Sequence, residues 1–211
     1  MRKLLLKMSI SVDGFVGGVN GEIDWIFTSM DTTAADWTVS VIRNAGLHLM
    51  GSRTFHDMVA YWPNSTEVFA APMNEIPKAV VTRKGIGTIG DPAQTTTALK
   101  QANLINKDSP RRSTPAMESW QQALVLTGDL ASEVRKLKQQ AGKDIVAHGG
   151  ASFCQSLVAT GLVDEFHLLV HPVVLGKGLP LFSAVTDRLA LRLMEVRAFP
   201  GGAVAHSYSA V

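Results

Sequence analysis

Hydrophobic and polar positions fall into blocks of different period along the chain. Residues 4–12 form a mostly apolar run, as expected of a strand near the middle of a sheet. Residues 31–44 change to a helical period, with Trp37, Val41 and Ile42 on one face and Asp31 or Thr33 as N-cap; Gly46 closes the helix. A short strand at 47–50 leads into a helix over 54–61, stopped by Trp62-Pro63-Asn64. Residues 78–82, 123–126 and 145–147 read as further short strands. A helix over 130–141 is capped by Asp129 and closed by Gly142, and one over 151–160 ends at Gly161. Residues 165–171 alternate, with Phe166, Leu168 and Val170 on one side and His167, Leu169 and His171 on the other. Residues 189–199 and 203–208, joined by Pro200-Gly201-Gly202, read as a closing antiparallel hairpin.

Strands alternating with helices, then strands alone, predict an α/β protein with a mixed, mainly parallel sheet. Segment 91–119 departs from this pattern. It is rich in Thr, Gln, Asn, Ser and Pro, and Ser109-Pro110-Arg111-Arg112-Ser113-Thr114-Pro115 resists regular structure. We read it as a polar, mobile insertion in a single domain spanning 1–211.

Composition narrows the class. The chain has 211 residues, 46% of them hydrophobic, enough for one substantial core. Net charge is only +2 and the basic residues are scattered, which argues against nucleic-acid binding; Arg135, Lys136 and Lys138 read as the solvated face of their helix. Cys154 stands alone, excluding an internal disulfide and any multi-cysteine metal site, and reads as a small buried residue. Residues 1–10 carry basic residues and leucines, but Lys7 interrupts the apolar run, Asp13 follows soon after, and no small-residue cleavage site appears. No stretch is long enough to span a membrane, so the expectation is a soluble cytoplasmic protein with no metal and no membrane partner.

Candidate chemistry lies at strand ends. The stretch 144–153, Asp144-Ile145-Val146-Ala147-His148-Gly149-Gly150-Ala151-Ser152-Phe153, joins a strand, a glycine pair and a helix start. Free N–H groups and the positive helix end there favour an anion such as a pyrophosphate, although a glycine pair is also an ordinary tight turn. Asp13, with Gly14, Phe15, Gly17 and Gly18, ends the first strand, either as a ligand-facing carboxylate or as a turn former. Gly51-Ser52-Arg53-Thr54 repeats the theme after the second strand, and Thr82-Arg83-Lys84 after the third. Trp25 is either an exposed ring cover or core, Asp36 lies in the first turn of its helix, and His171 reads as structural. In a parallel sheet these strand ends converge.

These residues resemble the reductase domain of the bifunctional riboflavin-biosynthesis deaminase/reductase, within the dihydrofolate-reductase-like fold. The matching segments are 11–15, 49–55, 78–82, 144–153 and 161–178, nearly the whole chain apart from 91–119. The resemblance implies a three-layer α/β/α architecture with a mixed, mainly parallel sheet ending in an antiparallel C-terminal hairpin. It implies NADPH as cofactor, with the pyrophosphate on Gly149, Gly150, Ala151, Ser152 and Phe153. Gly51, Ser52, Arg53, Thr54, Thr82 and Arg83, helped by Lys84, would flank the adenosine side and its 2′-phosphate. Asp13, Gly14, Phe15 and Trp25 would face a small-molecule substrate, with Asp13 and then Asp36 as candidate catalytic carboxylates. It also implies a homodimer, suited by an apolar sheet edge at the hairpin. No His/Cys zinc signature of a deaminase accompanies these motifs.

The leading expectation is hydride transfer to a C=N bond of a pyrimidine- or pteridine-type substrate, as in 5-amino-6-(5-phosphoribosylamino)uracil reductase. Dihydrofolate reductase or another reductase of the same fold is the second. A nucleotide-binding module without catalysis is the third.

Overall fold

The computed structural model describes residues 1–89 and 95–211. The strands are β1 (Leu4–Ser11), β2 (Leu47–Gly51), β3 (Lys78–Val81), β4 (Leu124–Leu126), β5 (Ile145–Ala147), β6 (Glu165–His171), β7 (Leu191–Ala198) and β8 (Val204–Ala210). They form one eight-stranded sheet in the order β4-β3-β2-β5-β1-β6-β8-β7. The pairings from β4 through β6 are parallel, whereas β8 runs antiparallel to both β6 and β7. The helices are α1 (Asp24–Phe27), α2 (Thr32–Arg43), α3 (Ser52–Tyr61), α4 (Ala70–Glu75), α5 (Thr97–Ile105), α6 (Glu118–Gln121), α7 (Leu130–Gln139) and α8 (Ala151–Ala159). A 3-10 turn at Trp62–Asn64 follows α3.

Alternation within the strands builds three layers. Leu4, Leu6, Met8 and Ile10 of β1, Ile145 and Ala147 of β5, and Phe166 and Leu168 of β6 point to one face. There they meet Val134 and Leu137 of α7 and Cys154, Leu157 and Val158 of α8. Each such side chain contributes about 1.5–3 kcal/mol by leaving water. On the other face, Met50, Val80 and Val146 pack under Ile42, Phe55, Val59, Met73 and Trp120. Ala34 and Trp37 of α2 cover Leu169 beside Phe199, Ala203 and Ala205. The expected dihydrofolate-reductase-like three-layer α/β/α arrangement is present, mixed sheet and closing hairpin included. Caps sit where the side chains predicted them: Asp31 accepts from Ala34 N at 2.9 Å, and Asp129 from Ser132 N at 2.9 Å.

Two readings are corrected. Segment 91–119 is not a structureless loop among its described residues; residues 91–94 lie outside them. Helix α5 starts at the Thr96 cap, is tied to α3 through Thr96 Oγ1 donating to Asp57 at 2.5 Å, and buries Leu99. Its polar composition hid it because one cap and one apolar anchor suffice once a neighbouring helix supplies the packing. Residues 109–116 lack helix or ladder but are pinned to the turn after α3: Arg112 N donates to Asn64 O at 2.7 Å and Ala116 N to Pro63 O at 3.0 Å. Lys138 is not solvated like Arg135 and Lys136. It is buried, with Nζ 2.6 Å from Asp164 and donating to Leu162 O at 2.9 Å. A lysine stem long enough to cross the α7–β6 gap reaches a carboxylate that local sequence does not reveal.

At the far edge, β7 exposes Leu193, Met194 and Val196, each more than half exposed. This is the apolar edge expected of the hairpin. Among the described residues no helix is long and apolar enough to cross a membrane.

Candidate active site

Two neighbouring strand ends build a cradle. Past β5 the chain runs through Gly149 and Gly150 into α8, and Gly150 takes a φ of +88°. A Cβ on Gly150 would lie 2.6 Å from Thr54 Oγ1, and one on Gly51 would lie 3.0 Å from Phe153 Cβ. The glycines therefore let the N-terminal ends of α3 and α8 meet. Thr54 Oγ1 locks them by donating to Gly149 O at 2.8 Å. A Cβ on Gly149 would meet nothing nearer than Met8 Cε at 4.0 Å, so this backbone borders open space. No side chain caps α8, which leaves the N–H groups of Ala151, Ser152 and Phe153 without helical acceptors. The donors, the dipole and the missing Cβ atoms suit a pyrophosphate.

On the adjacent strand pair, Thr82 Oγ1 accepts from Lys84 N at 3.2 Å and donates to Gly85 O at 2.8 Å, folding the turn after β3. Arg53, Arg83 and Lys84 are exposed, and among the described residues none forms an ion pair. Because β2 and β3 pair in parallel, Arg53 and Arg83 stand at neighbouring strand ends. These cations fit a terminal phosphate.

The first candidate carboxylate is hydrogen-bonded within its own loop. Asp13 is exposed and accepts from Ser11 Oγ at 2.6 Å, Leu175 N at 3.1 Å and Gly176 N at 2.7 Å. The Ser11 hydroxyl, followed by the backbone N–H groups, holds it below the ordinary carboxylate range. It clasps residues 175–176 to the end of β1 and is poorly suited to donate a proton. Gly14 turns there with a φ of +83°, and Phe15 pairs with Pro180 in an isolated bridge. Trp25 is not an exposed cover. It is buried, its Nε1 donates to Glu22 O at 3.1 Å, and it stands edge-on to His171 at 5.4 Å. Asp36 is exposed on α2 and forms no side-chain hydrogen bond or ion pair among the described residues.

Sequence reasoning missed the polar side of the central strands. Lys7 lies opposite His167 in the β1–β6 register, and one residue beyond the Leu6–Ala147 pair it flanks His148. Its ammonium has no hydrogen-bond or ion-pair partner among the described residues, and burial pushes it down to about 8. The carboxylate on the same side of β6, Glu165, is taken by Lys3 at 2.7 Å and His167 at 3.1 Å. His148 Nε2 lies 2.7 Å from His48 Nδ1, and His48 Nε2 lies 3.0 Å from Pro72 O. His171 bonds Ser29 Oγ through Nδ1 at 2.8 Å, and its buried Nε2 has no partner among the described residues. Burial, and then the Lys7 charge, pushes His171 down to about 4. Burial lowers His148 strongly, helped by the His48 and Lys7 charges. The signal for Lys7 was present: a charged residue in the middle of an apolar strand has one face to explain.

Lys7 and the cradle are joined through β5, whose last residues lead to both His148 and Gly149. A depression lined by Val158 to Gly161 and Ala184 to Leu189 lies at the opposite end of α8 and contains none of these groups. Among the described residues no cluster of His, Cys, Asp and Glu could hold a metal ion.

Residues 2–205 match the family profile of the RibD C-terminal domain. The protein YyaP of Bacillus subtilis (strain 168) is 31% identical over 205 residues, covering 96% of this chain and 92% of that protein. A proposed riboflavin biosynthesis protein of Shewanella sp. PV-4 superposes with a TM-score of 0.70 at 16% identity, over 100% of this chain and 99% of its own. The diaminohydroxyphosphoribosylaminopyrimidine deaminase/5-amino-6-(5-phosphoribosylamino)uracil reductase of Thermotoga maritima does so with a TM-score of 0.64 at 14% identity, over 100% of this chain and 57% of its own.

Proposed function

The chain belongs to the RibD C-terminal domain family, and from that premise we propose that it is an NADPH-dependent reductase. It adds hydride to a C=N bond of a pyrimidine- or pteridine-type substrate, in the manner of a 5-amino-6-(5-phosphoribosylamino)uracil reductase. One observation carries the reading: a glycine-lined, uncapped helix start and an unpaired ammonium flank the same strand end, at Gly149 and Lys7.

NADPH supplies the hydride when bound. Gly149, Gly150, Ala151, Ser152 and Phe153 hold its pyrophosphate. Gly51, Ser52, Thr54 and Thr82 border the adenosine side, where Arg53, Arg83 and Lys84 pair with the 2′-phosphate. Gly14, Phe15 and Trp25 wall the substrate cleft, and Asp13 sets its loop. Reducing a C=N bond also requires a proton on nitrogen, and Lys7 is the group in the cleft that holds one near neutral pH. Asp36, the acid a folate reductase would carry on this helix, faces solvent, which favours a pyrimidine over a folate. The exposed apolar edge of β7 would pair two copies into a homodimer.

Calorimetric titration with NADPH and, separately, NADH tests this reading. Tight NADPH binding and much weaker NADH binding are expected, with Arg83→Ala and Arg53→Ala each weakening NADPH roughly tenfold and NADH little. Failure of both dinucleotides to bind would remove the cofactor assignment. Sedimentation of a Val196→Lys variant as a monomer, beside a dimeric parent, is the expected result for the edge.

A further inference from the structure

Three atoms at the His48–His148 contact have their roles dictated by chemistry. The Pro72 carbonyl can only accept, so His48 Nε2, 3.0 Å away, carries a proton. Burial, and then the Lys78 charge, pushes His48 down to about 4, so near neutral pH its Nδ1 is a bare lone pair. His148 Nε2, 2.7 Å from that lone pair, must be the donor. His148 is also held neutral, by burial and then by the charges of His48, Lys7 and Lys78. Its own lone pair therefore sits on Nδ1. The sealed polar atoms without partners among the described residues are Thr38 Oγ1, His56 Nδ1, His171 Nε2 and Ser209 Oγ. His148 Nδ1 has no hydrogen bond among the described residues and is not among those sealed atoms, so it keeps a slight exposure beside Gly149.

We infer that His148 is a specificity-determining residue of the substrate cleft: its Nδ1 accepts a hydrogen bond from a ring N–H of the substrate, with His48 as the positioning residue. The inference rests on the reading of this cleft as the substrate site. Lys7 flanks His148 on the next strand, about 5 Å across, and offers the complementary donor. Donor and acceptor side by side match a heterocycle edge that presents a carbonyl next to an N–H, as a lactam or uracil-type ring does. A side-chain amide at position 148 could rotate and present either polarity. The imidazole cannot do so without breaking the chain through His48 to Pro72.

The test compares two rings that differ only at the ring nitrogens: 5,6-diaminouracil and 5,6-diamino-1,3-dimethyluracil, titrated into the full chain saturated with NADP⁺. The parent should bind the N–H ring about five- to tenfold more tightly, and His148→Phe should lose that preference. Equal affinities in the parent, an undiminished preference in His148→Phe, or binding of neither ring while NADP⁺ binds would each overturn the inference. Nitrogen-15 spectra of labelled histidines in the ligand-free protein give a readout independent of any ligand. His148 should carry its proton on Nε2, and His48→Gln should mix the tautomers. A proton on Nδ1 in the parent overturns the inference, and this measurement stands even where a variant fails to fold. Absence of NADP⁺ binding would instead strike the reductase reading, while the tautomer result still judges His148.

Discussion

The two faces of the central strands are made of alternate residues of the same segments, yet they differ in kind. On β1, Leu4, Leu6, Met8 and Ile10 all belong to the core against α7 and α8. Their neighbours Lys7, Ser9 and Ser11 point the other way. On β5 the contrast is Ile145 and Ala147 against His148, and on β6 it is Phe166 and Leu168 against His167 and His171. The apolar face stabilises by area alone. The polar face buries titratable groups with too few counter-charges, which is costly in a structure selected only for stability. One face is thus core alone, while the other sets the proposed chemistry among the apolar residues that pack under α2 and α3.

This comparison can be broken by substitutions on either side. The largest effect is expected at Lys7→Met, with reductase turnover falling about 100-fold or more in an NADPH-oxidation assay. Its thermal midpoint should hold or rise, because an unpaired, half-buried ammonium held below its usual value is removed. A variant with intact turnover would detach Lys7 from the chemistry. Leu6→Ala, one residue away on the other face, should cost about 3 kcal/mol in denaturant unfolding and leave NADPH affinity of the folded molecule unchanged. A large loss of affinity with little loss of stability would erase the division between the faces.

A smaller effect concerns pH. Lys7 acts as a proton donor only while protonated, so turnover should fall as pH rises through about 8. Stability should move in the opposite direction. Between about 8 and the usual lysine value of 10.5, the unfolded chain holds a proton that the folded chain has shed, so unfolding free energy rises with pH across that window. Matching trends in rate and stability would contradict the assignment.

The smallest effect is expected at Lys78, a second buried lysine on this side of the sheet. Its Nζ donates to Ser119 Oγ at 2.5 Å, lies 4.4 Å from the Trp120 ring centre, and has no carboxylate partner among the described residues; burial pushes it down to about 7. It stands at the start of β3, away from the strand ends that carry the site. Lys78→Met should gain about 1 kcal/mol near and below pH 7, fading toward pH 10, with turnover unchanged. A drop in turnover would extend the functional face to β3.

Local pattern exposed much of the molecule. The apolar runs at β1, β2, β3 and β5 and the alternation of β6 are period-two signals, and Asp31 and Asp129 marked helix starts by capping chemistry. The glycine pair at Gly149 and Gly150 revealed the cradle because only glycine tolerates that backbone and that approach to Thr54. Helix α5 stayed hidden because its support, Asp57, lies on another helix. Lys138 was misplaced because its partner Asp164 arrives from a later turn.

The sequence by itself determined the kinds of element, their order and the glycine-lined strand ends, since each is written within a few neighbouring residues. Tertiary structure alone decided which polar groups stand beside the cradle. Lys7, His48 and His148 come from three strands far apart in the chain, and only the order β2-β5-β1-β6 sets them side by side. Strand order depends on which packed arrangement buries the most apolar surface at once, a property of the whole sheet that no local period records. That same order gave Asp13 its loop clasp and left Lys7 without a counter-charge among the described residues. The proton donor we propose is therefore the lysine, with Asp13 setting the loop at the end of the same strand.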